Sequence, residues 1–280
     1  MSTDIGLHYL AALAYILLGC SIGYALTHNQ DFEKWHRLRH WALALTIIVH
    51  GFAIHSGLIS QHHLHISWSL SLSFTMWLGL IVFWLEGNFH RLDAQILPLS
   101  VPATIVCIVA ALFPVSHHSA TIVIKNEIFR VHLIISLFAY SLIALATIQA
   151  ICTALLDRHL HKPQNFAKHK AFISRLIDAQ PPLLTQEHLL FRLIWTGFIL
   201  LTLAILTGMW VSYHSDGTLL PFDHKTFFTI IAWAVFAFLL FGRAVWGWRG
   251  RLALGWTLTG FVLIMLAYTG TRFVLEVLLS

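Results

Sequence analysis

Charge is what this sequence has least of. Asp, Glu, Lys and Arg make up only 10% of its 280 residues, against 58% hydrophobic ones, too little polarity to cover a soluble chain of this length. Its solvent is therefore the bilayer, in line with a mean hydropathy of +0.77. Cysteine is equally sparse. Cys20, Cys107 and Cys152 each stand alone inside an apolar segment, without the C-x-x-C, C-x-x-C-H or even-numbered spacing of a thiol relay, a covalent haem or a disulfide framework. No internal repeat or low-complexity tract divides the chain. No polar stretch leaves room for a soluble domain, so residues 1–280 are expected to form a single integral-membrane domain. The net charge of +5 does not point to nucleic acid, because the basic residues lie in short loops between apolar runs, where they set orientation.

What the sequence does have is a series of eight apolar runs, approximately 5–26, 41–60, 66–85, 96–114, 130–156, 190–212, 226–246 and 252–278. Each is close to the roughly 20 residues that a helix needs to cross about 30 Å of hydrocarbon. The predicted fold is all-α: a polytopic membrane helical bundle of about eight transmembrane helices. Thirteen of the 17 Lys and Arg residues fall in the odd-numbered loops and four in the others, which places the odd loops in the cytoplasm and both the N-terminus and the C-terminus outside. The first run follows Asp4 rather than a basic residue and lacks a convincing cleavage site; it reads as a span, not a signal peptide. In the longest loop, 157–189, Phe166, Ile173, Leu176 and Ile177 share a face among Lys168, Lys170 and Arg175. That pattern fits either a short interfacial helix ended by Pro181 and Pro182 or a solvated basic loop.

Nineteen histidines are a large excess, and in a membrane protein they point to metal or haem. His50 lies about ten residues from either end of its span, where a polar group needs a partner. It shares a small and polar face with Thr46, Ala53 and Gly57, and serves either as a ligand or as a histidine bonded to a neighbouring helix. His55, near the outer headgroups, reads as interfacial. His132 opens the fifth run, and Ser136, Tyr140 and Thr147 continue a polar stripe within about 80° of the same face. Such stripes face other helices or a cavity, so His132 is either packed or a ligand. The segment "YHSDGTLLPFDHK" gathers His214, Asp216, Asp223 and His224, types that bind haem iron or zinc and orient such ligands, although polar loops collect them anyway. "QHHLH" (His62, His63, His65) and "SHH" (His117, His118) read as solvated loops, and Arg272 is expected either to pair with Glu276 or to snorkel outward.

The stretches "VHLIISLFAYSLIALATIQAICTALLDRHL", "PPLLTQEHLLFRLIWTGFILLTLAILTGMW" and "DHKTFFTIIAWAVFAFLLFGRAVWGWRGRLALGWTLTGFVLIMLAYTGTRFVLEVL" carry a resemblance. The chain resembles the cytochrome c assembly (CcsA/CcmC-like) membrane family, nearest its short YpjD-type branch, well over the C-terminal half and in outline before it. The resemblance implies that His132, followed by Ser136 and Tyr140, is an external haem ligand, and that His50 matches a transmembrane histidine. Asp223, Lys225, Thr226 and Trp233 match the tail of the family's tryptophan-rich motif, but its preceding tryptophans are missing from "YHSDGTLLPFD". The family's second external histidine has no counterpart near "AYTGTRF"; His224 substitutes for it by position alone.

The expectation is a multi-pass protein of the bacterial inner membrane that holds b-type haem in the outer half of the bundle, for cytochrome c maturation or another haem-dependent assembly task. His132 is one expected axial ligand and His224 or His55 the other, with His50 forming or supporting a deeper site. Haem handling is expected rather than enzymatic turnover. Besides haem and the lipid bilayer, the expected partner is another membrane protein or cytochrome c assembly component. A non-haem scaffold for a partner membrane protein is the first alternative, favoured by the missing tryptophans. A divalent-metal carrier using the outer His and Asp cluster is the second.

Overall fold

A computed structural model describes residues 3–28, 32–58, 67–114, 127–161, 171–218 and 223–267. All regular structure among them is helical: α1 (Thr3–Thr27), α2 (Phe32–Leu58), α3 (Trp68–Glu86), α4 (Ile96–Leu112), α5 (Glu127–His161), α6 (Ala171–Asp178), α7 (Leu183–Asp216), α8 (His224–Trp246) and α9 (Gly250–Met265), with a 3-10 turn at Asp93–Gln95 before α4. Six of them, α1, α3, α4, α5, α7 and α8, are long and apolar enough to cross a membrane. The protein is a polytopic helical membrane bundle.

Helix ends follow local chemistry. The Ser67 hydroxyl caps α3 by accepting from the Leu70 N–H, and the Asp223 carboxylate caps α8 by accepting from the Thr226 N–H. Left-handed Gly217 and Gly247, at φ 69° and 65°, stop α7 and α8. Two helices outrun the apolar segments that predict them. α5 has 35 residues and α7 has 34, each about 50 Å long at 1.5 Å per residue and well beyond the hydrocarbon. Extension past the apolar run is cheap once a helix is nucleated, and here polar partners reward it. His188 and Arg192, expected at or before the start of the sixth span, are consequently inside α7, as His214 is at its other end.

The bundle has two groups of helices. α1 packs on α4 and α2, and α3 on both α2 and α4; α5 packs most extensively on α7 and also on α9, which lies on α8. The groups meet along α3 and α5, where Gly79 brings α3 so close that a Cβ there would lie 3.3 Å from the Ser141 hydroxyl. Tyr15 and Ile22 anchor the first core, and Ile143, Ile194, Leu201, Phe236 and Leu239 the second, all fully buried. Leu13 and Leu17 on α1, like Leu203 and Leu206 on α7, are exposed, as a lipid-facing surface requires.

One end of the bundle is basic and internally paired. α6 occupies it as a discrete helix before Pro181 and packs on α1 and α5. Arg175 on α6 donates to the carbonyls of Leu26 (3.3 Å) and Thr27 (2.8 Å), groups that the end of α1 leaves unpaired. Glu86 of α3 pairs with Arg192 of α7, and Glu187 lies 4.0 Å from Arg243 and 3.9 Å from Arg249.

A Cβ at Gly260 of α9 would come within 2.5 Å of the ring of the fully buried Phe236. Gly260→Ala is expected to overpack this contact and destabilise the bundle by about 1–3 kcal/mol. Thermal unfolding in detergent should show the loss, whereas Gly255→Ala, with nothing within 4 Å of the added Cβ, should leave the midpoint unchanged or raise it.

Candidate functional site

At the end opposite the basic one, His132 sits one turn into α5 against α7. Thr207 gives its own hydroxyl proton to the Leu203 carbonyl (2.8 Å), so its oxygen is left to accept from His132 Nδ1 at 3.1 Å. Gly208 allows this approach: a Cβ there would stand 3.1 Å from the imidazole Cε1. The ring is half-buried and also bonds the Ala204 carbonyl of α7. An imidazole pinned through Nδ1 is the form in which histidine binds a metal through Nε2. Below it, Ser136 is buried and Tyr140 packs against the core, as the stripe requires.

The other expected outer residues are dispersed. Asp223 is engaged in capping α8, its carboxylate 2.7 Å from the Thr226 N–H. Slight desolvation tends to raise that carboxyl, but the Thr226 hydrogen bonds and the Lys225 ammonium prevail and hold it below the usual carboxylate value. His224 and His55 are exposed, and neither bonds to or stacks on His132 among the described residues. The charge of Lys225 does reach His132, which brings the start of α8 near the start of α5. Trp233 lies deeper, stacked on Phe198 and donating to Thr202 (2.9 Å). His214 stacks on Trp210 and bonds its carbonyl. No three His, Cys, Asp or Glu side chains form a metal-holding group among the described residues. The histidines of "QHHLH" and "SHH", together with Arg272 and Glu276, lie outside the described residues.

His50 is fully buried and both of its nitrogens are taken. Nδ1 lies 3.1 Å from the Tyr15 hydroxyl and Nε2 2.8 Å from the Ser73 hydroxyl, with Cys107 Sγ 3.5 Å from Nε2. Ser73 in turn lies 3.3 Å from His8 Nε2, and His8 Nδ1 lies 2.9 Å from the Asp4 carbonyl. That carbonyl can only accept, and with neutral imidazoles this fixes the whole chain. His8 donates from Nδ1, Ser73 donates to His8 Nε2, His50 donates from Nε2 to Ser73, and Tyr15 donates to His50 Nδ1. A metal ligand at His50 would have to displace one of these bonds. Sequence reasoning missed His8, Tyr15, Ser73 and Cys107 as the surroundings of His50. The available hints were the seven-residue spacing of His8 and Tyr15 and the four-residue spacing of Ser69 and Ser73, each of which shares a helical face.

Comparison with known proteins identifies the family. The sequence pattern described as Cytochrome C assembly protein matches residues 6–279. The chain belongs to the cytochrome c assembly protein family. It is 33% identical over 148 residues to the inner membrane protein YpjD of Escherichia coli, covering 53% of this chain and 52% of that protein. It is 27% identical over 221 residues to a 28.8 kDa protein of the nifR3-like 5' region of Azospirillum brasilense, covering 76% and 78% of the two chains. To the cytochrome c biogenesis protein CcsA of Gloeobacter violaceus it is 33% identical over 92 residues, 33% of this chain and 27% of that protein.

Ser73→Ala is expected to leave His8 and His50 without their shared partner and to cost about 1–3 kcal/mol, the penalty of orphaning buried polar groups. Thr27→Ala, which removes an exposed hydroxyl bonded to Tyr24, should cost much less in the same unfolding assay. Equal losses would show that the buried chain contributes nothing special.

Proposed function

We propose that this member of the family is an inner-membrane haem-handling protein that holds haem b on its outer side through His132. The observation that carries this reading is the half-buried His132 ring, pinned against α7 by Thr207 and Ala204 at the mouth of the polar stripe. When bound, haem would supply a redox-active iron whose affinity and potential depend on its axial nitrogens. The residues of the chain do the rest: Thr207 sets the tautomer, Gly208 gives the imidazole room, and Ser136 and Tyr140 continue its face into the bundle. His224 is favoured over His55 for the second nitrogen, because its neighbour Lys225 already acts on His132. Cytochrome c biogenesis, the process for which the CcsA relatives are named, is where we place it.

The proposed topology has eight spans, with α2 and α9 added to the six long apolar helices and both termini outside. Clustering of basic residues at one end supports it. Tags at either terminus should be reached by an impermeant reagent in spheroplasts, and a cysteine placed in 157–189 should be protected. A protected C-terminal tag would overturn the eight-span arrangement.

A scaffold without haem is the second reading, supported by the lack of contact between His132 and another imidazole among the described residues. Absorption spectra of the purified protein, oxidised and dithionite-reduced, separate the two. The haem reading predicts sharp reduced bands that shift or vanish in His132→Ala, with the helical bundle intact, and that persist in His214→Ala. A haem-free wild type would favour the scaffold. An unchanged spectrum in folded His132→Ala would falsify the ligand assignment.

A further inference from the structure

The basic end also carries an aromatic corner that the haem reading does not use. α8, long and apolar enough to cross the hydrocarbon, ends at Trp246, so its turn into α9 lies at the level of the headgroups. Left-handed Gly247 and Gly250, at φ 65° and 54°, make that turn. Between them, Trp248 lies against the backbone of α8, where a Cβ at Gly242 would come within 2.4 Å of its ring. The ring is stacked between Trp246 (5.5 Å, 24°) and Trp256 of α9 (5.9 Å, 10°), and Arg243 donates to the Trp248 carbonyl at 3.2 Å. The turn is thus held in one shape, yet Trp246 is 58% exposed. Gly250 abuts α5: a Cβ there would lie 3.5 Å from Asp157 Oδ2. Arg158, next to Asp157, therefore joins Arg249 and Arg251 around one contact, and all three are exposed. Glu187 is set against Arg243 and Arg249, and Asp157 lies 3.4 Å from His161. Arg158 and Arg251 are left without a hydrogen bond or ion pair among the described residues.

We propose that this corner binds one anionic phospholipid of the bilayer, with its phosphate held by Arg158, Arg249 and Arg251 and its glycerol region against Trp246. Guanidinium groups match the phosphate oxygens in charge and fork geometry. Tryptophan favours the boundary between headgroups and hydrocarbon, and basic pockets between helices are a recurrent seat for anionic headgroups. The apolar side of the corner decides for a lipid over a soluble phosphate. Phe241 and Val245, four apart on α8 and so on one side of it, are exposed next to Trp246. They offer an acyl chain a surface that begins where the arginines end, and a soluble anion has no use for it. The site lies at the far end of the bundle from His132. It depends neither on haem nor on which leaflet this end meets, since both leaflets contain phospholipid.

The full-length protein in non-ionic detergent is titrated separately with phosphatidylglycerol, cardiolipin and phosphatidylcholine, and the one-lipid complex is followed by native mass spectrometry. Wild type should bind both anionic lipids at least about ten-fold more tightly than phosphatidylcholine. Arg158→Gln combined with Arg251→Gln should abolish most of that preference, at roughly five-fold for each charge removed. Lys34→Gln combined with Arg37→Gln removes the same charge from exposed positions at the same end and should keep it. Inorganic phosphate should not displace the lipid. As a second readout, brominated phosphatidylglycerol should quench the fluorescence of wild type more than that of Trp246→Phe, by a margin that brominated phosphatidylcholine does not reproduce. Equal affinity for the three lipids, equal losses in the two double variants, displacement by phosphate, or quenching unchanged in Trp246→Phe would each overturn the site.

Discussion

Within hydrocarbon an imidazole cannot fall back on water, and the first half of this protein is organised around that constraint. His50 satisfies it through Tyr15 of α1 and Ser73 of α3, with Cys107 of α4 alongside, so one side chain from α2 draws on all three neighbouring helices. Each helix must keep its axial position and rotation for these bonds to exist together, which gives the group a registry that apolar packing alone would leave adjustable. The polarity of the chain originates at one place, the Asp4 carbonyl, which forces His8 to donate and every later member to follow. A disturbance at the start of α1 is therefore felt by His50 through hydrogen bonds and not only through packing.

The second half solves the same problem differently. Several of its polar groups return their protons to their own helix, as Thr147 and Thr257 do, and others cluster toward the ends, as Gln149, Thr153 and Gln186 do between α5 and α7. His132 is a half-buried imidazole held by the most extensive helix pair among the described residues. A ligand site on such a pair is positioned by rigid elements and needs no loop to order around it.

The sequence revealed what periodicity encodes. Eight apolar runs, the small face of His50 and the stripe below His132 all follow from spacing, and the helices lie where the runs predict them. Partners across helices were not legible, because nothing in the spacing of α5 identifies Thr207, and nothing in α2 identifies Tyr15 or Ser73. The helix ends were misjudged for a related reason. Hydropathy marks where lipid begins, whereas α5 runs on to His161 and α7 begins before Glu187 and continues to its cap at Gly217. Asp223 illustrates the ambiguity of a polar residue in a loop. Beside His224 it suggests a ligand set, yet the pattern Asp-His-Lys-Thr is equally an N-cap, and in the structure Asp223 caps α8.

The basic residues also do more than set orientation. Arg175 closes the end of α1, Arg243 and Arg249 flank Glu187, and Arg192 reaches across the joint between the two halves to Glu86. That last pair is half-exposed on its arginine side, and such pairs contribute about 0–1 kcal/mol, so it biases the joint without locking it. The close contact of Gly79 with Ser141 lies deeper, in the membrane, where separation would expose an unpaired hydroxyl to lipid. Of the two, the buried small-residue contact is the stronger constraint on how the halves meet. His132 is placed within one half by α5 and α7, so the ligation proposed for it would require neither contact to break.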